Sequence, residues 1–269
     1  MNASLGPLRS LRVLLNYRHR VLEGVVHDVR QRYIGSVLGI AWAILFPLLQ
    51  LSIYAGLYSF VFKVRPAGLY TTGYIVLVFS GLVPLMMFNE ALTAATGALS
   101  ANKNLLLNTV FPAELIPVRA ACAAQVTGLF GLLITLIAGF ALGRASWQTV
   151  VLVPVFWILL VMFAIGIGWI LSLVSLVARD IQYGMGLILM TMFVLSPFAY
   201  TPEMVPAALK PLLYLNPLSY FVLTFQQLIC YGSWPNPVAA IGAAVLSLSS
   251  FFCGYIFFQR AKNVFFDYA

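Results

Sequence analysis

The chain has 269 residues, of which 62% are hydrophobic and only 8% charged, and it carries a formal net charge of +8. Soluble domains run near half apolar and a quarter charged, so this composition excludes a soluble globular protein and places the chain in a membrane. The positive charge is dispersed along loops and an N-terminal arm, which fits a membrane surface and argues against nucleic acid as a partner.

Several apolar runs reach the ~20 residues that a helix needs to cross the hydrocarbon layer, so the fold class is all-α with helical spans rather than barrel strands. The N-terminal arm lacks the order of charged patch, apolar core and small-residue cleavage site, and an uncleaved start is expected. Within it, residues 8–32 place Leu11, Leu14, Leu15, Val21, Leu22, Val25, Val26 and Val29 at helical spacing among arginines that include Arg18, Arg20, Arg30 and Arg32. This pattern predicts an amphipathic helix along the membrane interface; a plain basic tail that only sets orientation is the alternative.

The first three spans are predicted at about 38–62, 73–95 and 116–141, and the last three at about 151–177, 183–200 and 238–258. The chain thus divides into an interface helix over 1–37 and a six-span domain over 38–269. With the N-terminus in the cytoplasm, 11 Lys and Arg lie inside and 4 outside, so the positive-inside rule puts both termini in the cytoplasm. Between spans two and three, ANKNLLLNTVFPAELIPVR (101–119) interrupts the apolar runs with polar residues and two prolines. There Pro112 suits the opening turn of span three, Glu114 suits the positive end of its dipole, and Pro117 is expected to kink it.

After span five, Pro197, Pro202, Pro206, Pro211 and Pro217 break residues 196–232 into short pieces, and the apolar run from Ser219 to Tyr231 is too short to span. Short helices dipping into the outer face are expected, bordering a pathway, because irregular backbone at that depth needs protein or water against it. A purely structural re-entrant cap is the competing reading.

The chemistry of an embedded enzyme is poorly supplied. Both histidines, His19 and His27, sit in the arm, no span holds paired carboxylates, and no Cys or His cluster has ligand spacing, so neither a catalytic residue nor a metal is expected. Cys122, Cys230 and Cys253 are expected to pack rather than pair. Glu90 is the one acid inside a span, near its cytoplasmic end, and stands between a functional and a structural role. The scarcity of buried charge argues against an ion-coupled carrier, and no glycine-rich phosphate loop is present, so energy for transport would have to come from another polypeptide. Aromatic residues are the positive clue. Trp42, Tyr54, Tyr58, Phe193 and Tyr200 could line a path and stack weakly on sugar rings, at about 0.5–1.5 kcal/mol each, or form an interfacial belt.

RQRYIGSVLGIAWAILFPLL (31–50), NKNLLLNTVFPAELIPV (102–118), LVARDIQYGMG (176–186), SPFAYTPEMVP (196–206) and YLNPLSYFV (214–222) occur in register. Together they resemble the membrane subunits of ABC transporters that export lipid-linked polysaccharides such as capsule, O-antigen and teichoic acid. The resemblance implies two copies of this chain with two copies of a separate cytoplasmic ABC ATPase, which would bind ATP and Mg while this chain binds no cofactor. It implies ATPase contacts at a coupling helix near 96–108 (Asn102, Lys103, Asn104, Leu105, Leu106), and at Arg179 and Asp180 either a second contact or a helix-end pair. It also implies gate helices over 201–231, with Pro202, Met204, Pro206, Asn216 and Pro217. Membrane lipids and the lipid-linked polymer are implied partners, and periplasmic and outer-membrane export proteins are compatible ones. The loops at 63–72 and 142–150 are short and offer no glycan-recognition domain. An ABC permease for a drug or small lipid, a membrane enzyme acting on lipid-linked sugars, and a membrane scaffold are the rival readings.

Overall fold

The computed structural model describes residues 16–61, 69–103 and 112–266, and every regular element among them is helical. In chain order these are α1 (Arg18–Tyr33), α2 (Trp42–Gly56, running into a π turn over Leu57–Val61), α3 (Thr71–Ala101), α4 (Leu115–Ala141) and α5 (Trp147–Val177). Then follow α6 (Asp180–Leu195), two single 3-10 turns (Pro202–Met204 and Ala207–Leu209), α7 (Lys210–Leu215), α8 (Pro217–Ile229) and α9 (Pro237–Phe266).

Five of these elements, including α2 with the preceding turn from Gly39, are long and apolar enough to cross a membrane. The predicted fifth span (183–200) is α6, an apolar helix of 16 residues. At 1.5 Å per residue that is roughly 24 Å, less than the ~30 Å hydrocarbon layer. The cause is local: Ser196-Pro197 ends the helix early, because proline disfavours helical backbone at the residue before it, and Ser196 is extended.

Helix α3 is the core element. It packs against α4, α5 and α8, and 78% of its most apolar stretch is buried, against 22% for the stretch containing α2. It also runs to Ala101, six residues past the predicted end of span two, so Thr96–Ala101 belongs to the long helix rather than to a separate short one. The most extensive packing joins α5 to α9. A methyl group built on Gly254 would overlap the carbonyl of Gly166, and one built on Gly166 would overlap Ser250, so the two backbones meet without side chains between them. Lipid tails are as apolar as leucine, and close backbone approach supplies the van der Waals contact that holds such helices together. The Ser250 hydroxyl donates to the Phe163 carbonyl at 3.0 Å across the same contact.

Several hydroxyls in the apolar helices are satisfied within their own helix, whereas Gln50 Oε1, Asn89 Oδ1 and Ser219 Oγ are buried without a hydrogen bond among the described residues. The hydroxyls of Thr96, Thr135 and Ser247 each donate to the carbonyl four residues back, at 2.7–2.8 Å. Helix α5 opens with a reciprocal cap in which the Ser146 N–H donates to Thr149 Oγ1 at 3.1 Å. Helix α4 opens at Leu115, whose N–H donates to the Pro112 carbonyl at 3.0 Å, one turn later than expected from Pro112. Pro117 is therefore its third residue and not a kink site, since the first four helical N–H groups have no intrahelical acceptor and none is lost.

The segment after α6 enters the bundle and turns back. Phe221 of α8 stacks on Phe163, halfway along α5, at 5.7 Å, whereas the Leu228 carbonyl accepts from Thr149 in the first turn of α5. The α7–α8 hairpin thus reaches mid-depth at Asn216-Pro217 and returns to the end where it began. A short helix can lie there because it is enclosed by α3, α5 and α9 rather than exposed to lipid.

Candidate functional site

The bundle has two ends with different chemistry. At one end lie α1, the C-termini of α3, α5 and α9, and the N-termini of α4 and α6, with most of the ionic contacts among the described residues. Helix α1 rests on α4 with Val29 buried and Val21, Val25 and Asp28 half-buried. Its Asp28 Oδ2 lies 2.8 Å from Arg119 Nε of α4, and Arg119 donates through Nη2 to Asn102 Oδ1 at 3.2 Å. A methyl on Gly24 would collide with the Arg119 side chain, so glycine at 24 is what lets α1 sit over that guanidinium. Arg32 pairs more loosely with Glu90 at 3.9 Å. Glu90 lies eleven positions before α3 ends at Ala101, so it is not near the helix end as expected from the shorter span. Arg18, Arg20 and Arg30 are exposed, and Arg20 sits over the Tyr17 ring.

The same end holds the residues expected to meet an ATPase. Asn102 closes α3 by donating to the Ala98 carbonyl at 2.8 Å, and Lys103 follows it. Asn104, Leu105 and Leu106 lie outside the described residues. Arg179 and Asp180 are exposed on the turn into α6, and Gln182 reaches back to Ser100 at 3.4 Å, so this turn and the end of α3 form one surface. Asp180 starts α6, where a carboxylate meets the positive end of the helix dipole. A second junction was not foreseen: the buried Glu114 accepts from Gln259 at 2.9 Å and pairs with Lys262 at 3.5 Å, while its backbone carbonyl accepts from the Trp169 indole at 2.8 Å. Its only signal in the sequence is an acid bordering an apolar run.

At the opposite end, three of the five predicted channel aromatics meet. Tyr54 and Phe193 have ring centroids 5.9 Å apart, and Phe198 touches Tyr54 at 5.9 Å, Tyr58 at 5.7 Å and Phe193 at 4.9 Å. These rings join α2 to the end of α6. Trp42 stands apart at the start of α2, 40% exposed. Tyr200 donates to the Leu195 carbonyl at 3.1 Å and packs on Leu213, Leu223 and Ala239.

Of the predicted gate residues, Pro202 and Met204 form the first 3-10 turn and Pro206 precedes the second. The buried Asn216 caps α8 by accepting from Leu218 N–H at 3.1 Å, and it donates to the Met192 carbonyl at 2.9 Å and Ser196 Oγ at 2.8 Å. Pro217 then takes the first helical position, where its missing N–H is harmless. Gln226, which sequence reasoning passed over, donates to the carbonyls of Pro197 and Phe198 at 2.9 and 3.1 Å. Tyr74 donates to the Ala199 carbonyl at 2.9 Å. Amides within an apolar run signal such roles, since each needs an internal partner.

Three cavities ring this segment. One of about 840 Å³ lies between the first 3-10 turn, α8 and the start of α9; one of about 400 Å³ lies under Tyr58, Tyr200 and Pro206; and one of about 360 Å³ separates α6 from Leu212 and Asn216. The two ends of the bundle thus differ, one ionic and the other aromatic and lined by cavities.

That description matches a known class: the chain belongs to the ABC-2 type transporter family, whose model matches residues 25–230. Among individual relatives, it is 24% identical over 260 residues to the O-antigen export system permease protein RfbA of Myxococcus xanthus, covering 96% of this chain and 98% of that one. It is 28% identical over 234 residues to the protein of the same name from Klebsiella pneumoniae, covering 87% and 85% of the two chains. It is 23% identical over 240 residues to the polysialic acid transport protein KpsM of Escherichia coli, covering 88% and 92%.

Proposed function

We propose that this chain is the channel-forming permease subunit of an ATP-driven exporter that moves lipid-linked polysaccharide, of O-antigen or capsular type, outward across the cytoplasmic membrane. The observation that carries this reading is the end-to-end match to the O-antigen permease of M. xanthus, which spans the re-entrant hairpin as well as the long helices. The basic end faces the cytoplasm, in keeping with the positive-inside rule, so both termini are cytoplasmic and α6 completes a set of six spans.

Two copies of the chain form the path. The exposed Ile44, Phe46, Leu49 and Ile53 on α2, and Leu187, Ile188 and Met190 on α6, leave the flanks of the aromatic cluster open to a second copy. Two copies of a separate ATPase, which binds ATP and Mg, dock through Asn102 and Lys103, the Asn104, Leu105 and Leu106 that follow them in sequence, and Arg179 and Asp180, and α1 lies in the inner interface. Nucleotide-driven movement of that surface reaches the hairpin through α3 and α6. A polymer advances past Tyr54, Tyr58 and Phe193 by weak repeated stacking, each contact worth about 0.5–1.5 kcal/mol.

The test is co-expression with an ATPase subunit in cells that make the lipid-linked polymer but lack their own exporter. Surface polymer that requires both chains is the expected result, and Leu105→Asp with Leu106→Asp should abolish export while ATP hydrolysis continues. Export without an ATPase, or hydrolysis stimulated by small hydrophobic ligands and not by polymer, would overturn the assignment.

A further inference from the structure

The 840 Å³ cavity has a lining that the passage of a polymer past the aromatic cluster does not use. Its volume falls in the ~300–1,000 Å³ range of small-molecule sites. Tyr214 and Tyr231, each 45% exposed, line it, as do the polar Glu203, Gln227, Ser233 and Asn236 and the apolar Leu223 and Ala239.

The hydrogen bonds already made define what is left to offer. Gln227 Oε1 accepts from the Asn236 N–H and Asn236 Oδ1 accepts from the Val238 N–H, which directs both amide NH2 groups away from those bonds. Glu203 forms no ion pair among the described residues and is an acceptor. The hydroxyls of Ser233, Tyr214 and Tyr231 both donate and accept. Two aromatic side chains among neutral donors and acceptors suit a polyhydroxylated ring, whose C–H face is apolar and whose rim both gives and takes hydrogen bonds. Among the described residues no Lys or Arg lines the cavity, and its one charged lining group, Glu203, is negative, so phosphate and acidic sugars are disfavoured.

We infer that this cavity is a saccharide-binding subsite, selective for neutral over acidic sugars, at the outer end of each chain beside the re-entrant hairpin. The inference rests on the polysaccharide-export reading for its biological ligand, but the cavity can be tested without it. It places glycan selectivity within the permease, in the absence of a dedicated recognition domain in the short outer loops.

The reporter is Trp234, 61% exposed, next to Ser233 in the chain and edge-to-face with Trp147 at 6.1 Å. The purified full chain in detergent is titrated by tryptophan fluorescence with maltohexaose, cellohexaose, mannohexaose and chitohexaose, and with hexagalacturonate. A saturable change with at least one neutral hexasaccharide and none with hexagalacturonate is expected. Tyr214→Ala and Tyr231→Ala should each weaken binding about threefold to tenfold, and Glu203→Gln should admit hexagalacturonate. Tyr214→Phe and Tyr231→Phe, which keep the ring, should bind within about threefold of the parent, so that a variant lost to misfolding is replaced by one that folds. Absence of binding to all four neutral sugars, equal binding of hexagalacturonate, or alanine variants that bind unchanged would overturn the subsite. Surface polymer in the co-expression assay without saccharide binding would sink this inference alone; binding without surface polymer would sustain it and sink the exporter reading.

Discussion

Replacing Asp28 by asparagine should release α1 from the bundle. At 2.8 Å and an effective dielectric near 20, the gross attraction between Asp28 and Arg119 is roughly 6 kcal/mol. Their side chains are 20% and 15% exposed, so desolvation and residual hydration offset much of that. The pair lies between exposed bridges, worth about 0.2–1 kcal/mol, and buried ones, whose disruption costs about 3–5. A net loss of about 1–3 kcal/mol follows, which raises local opening of α1 about 5- to 150-fold. The Arg32–Glu90 pair, longer at 3.9 Å and 38% and 28% exposed, should contribute under about 0.5 kcal/mol, so Arg32→Gln is the matched control. The assay is amide hydrogen exchange over residues 18–33 in lipid nanodiscs, for the parent, Asp28→Asn, Arg119→Gln and the double variant. A coupling energy below about 0.5 kcal/mol in that cycle, or faster exchange spread equally over the chain, would refute the view that this one pair anchors α1.

Three further changes probe the bundle. Gly254→Leu puts a side chain where the Gly166 carbonyl now lies and should cost more than about 3 kcal/mol, seen as loss of a monodisperse gel-filtration peak; Gly254→Ala should be milder but still lower the melting temperature. Asn216→Ala removes the α8 cap and one of the two donors to the Met192 carbonyl, Ser196 Oγ being the other, for a loss of about 1–3 kcal/mol read by thermal unfolding in detergent, with export impaired before folding fails. Glu114→Gln leaves Lys262 without its carboxylate, and a drop of about 0.5–1.5 kcal/mol is expected, diminished in high salt because Lys262 is 27% exposed.

The long helices were legible because a span must satisfy all its backbone groups internally, which forces an unbroken apolar run. The hairpin was legible for the converse reason: Pro202 to Pro217 and the short run after Ser219 forbid such a run. Span ends were less so. Thr96–Ala101 continues α3 since Ser175 of α5 donates to the Thr96 carbonyl at 2.8 Å, a contact 79 positions away in sequence. The cross-bundle junctions escaped for the same reason. Glu114 and Gln259 are 145 positions apart, and Gln226 lies 28 and 29 from its two acceptors. Nothing local distinguishes such a side chain from any other amide or acid beside an apolar stretch. Among the aromatics, the four-residue spacing of Tyr54 in α2 and Tyr58 in the π turn that continues it brought both to the Phe198 ring, while Trp42, three turns before Tyr54, lies outside that cluster.

Helix α3, enclosed by α4, α5 and α8, cannot slide along its axis without breaking packing on every side, since close-packed interiors transmit strain rather than absorb it. It therefore behaves as an axle. Over 31 residues at ~1.5 Å each, some 45 Å, one rod joins the end where Asn102 meets Arg119 to the end where Tyr74 holds the Ala199 carbonyl. The lightly packed α2 and α6, by contrast, lie outside this enclosure, α2 resting mainly on α4 and α6 on α3 and α5.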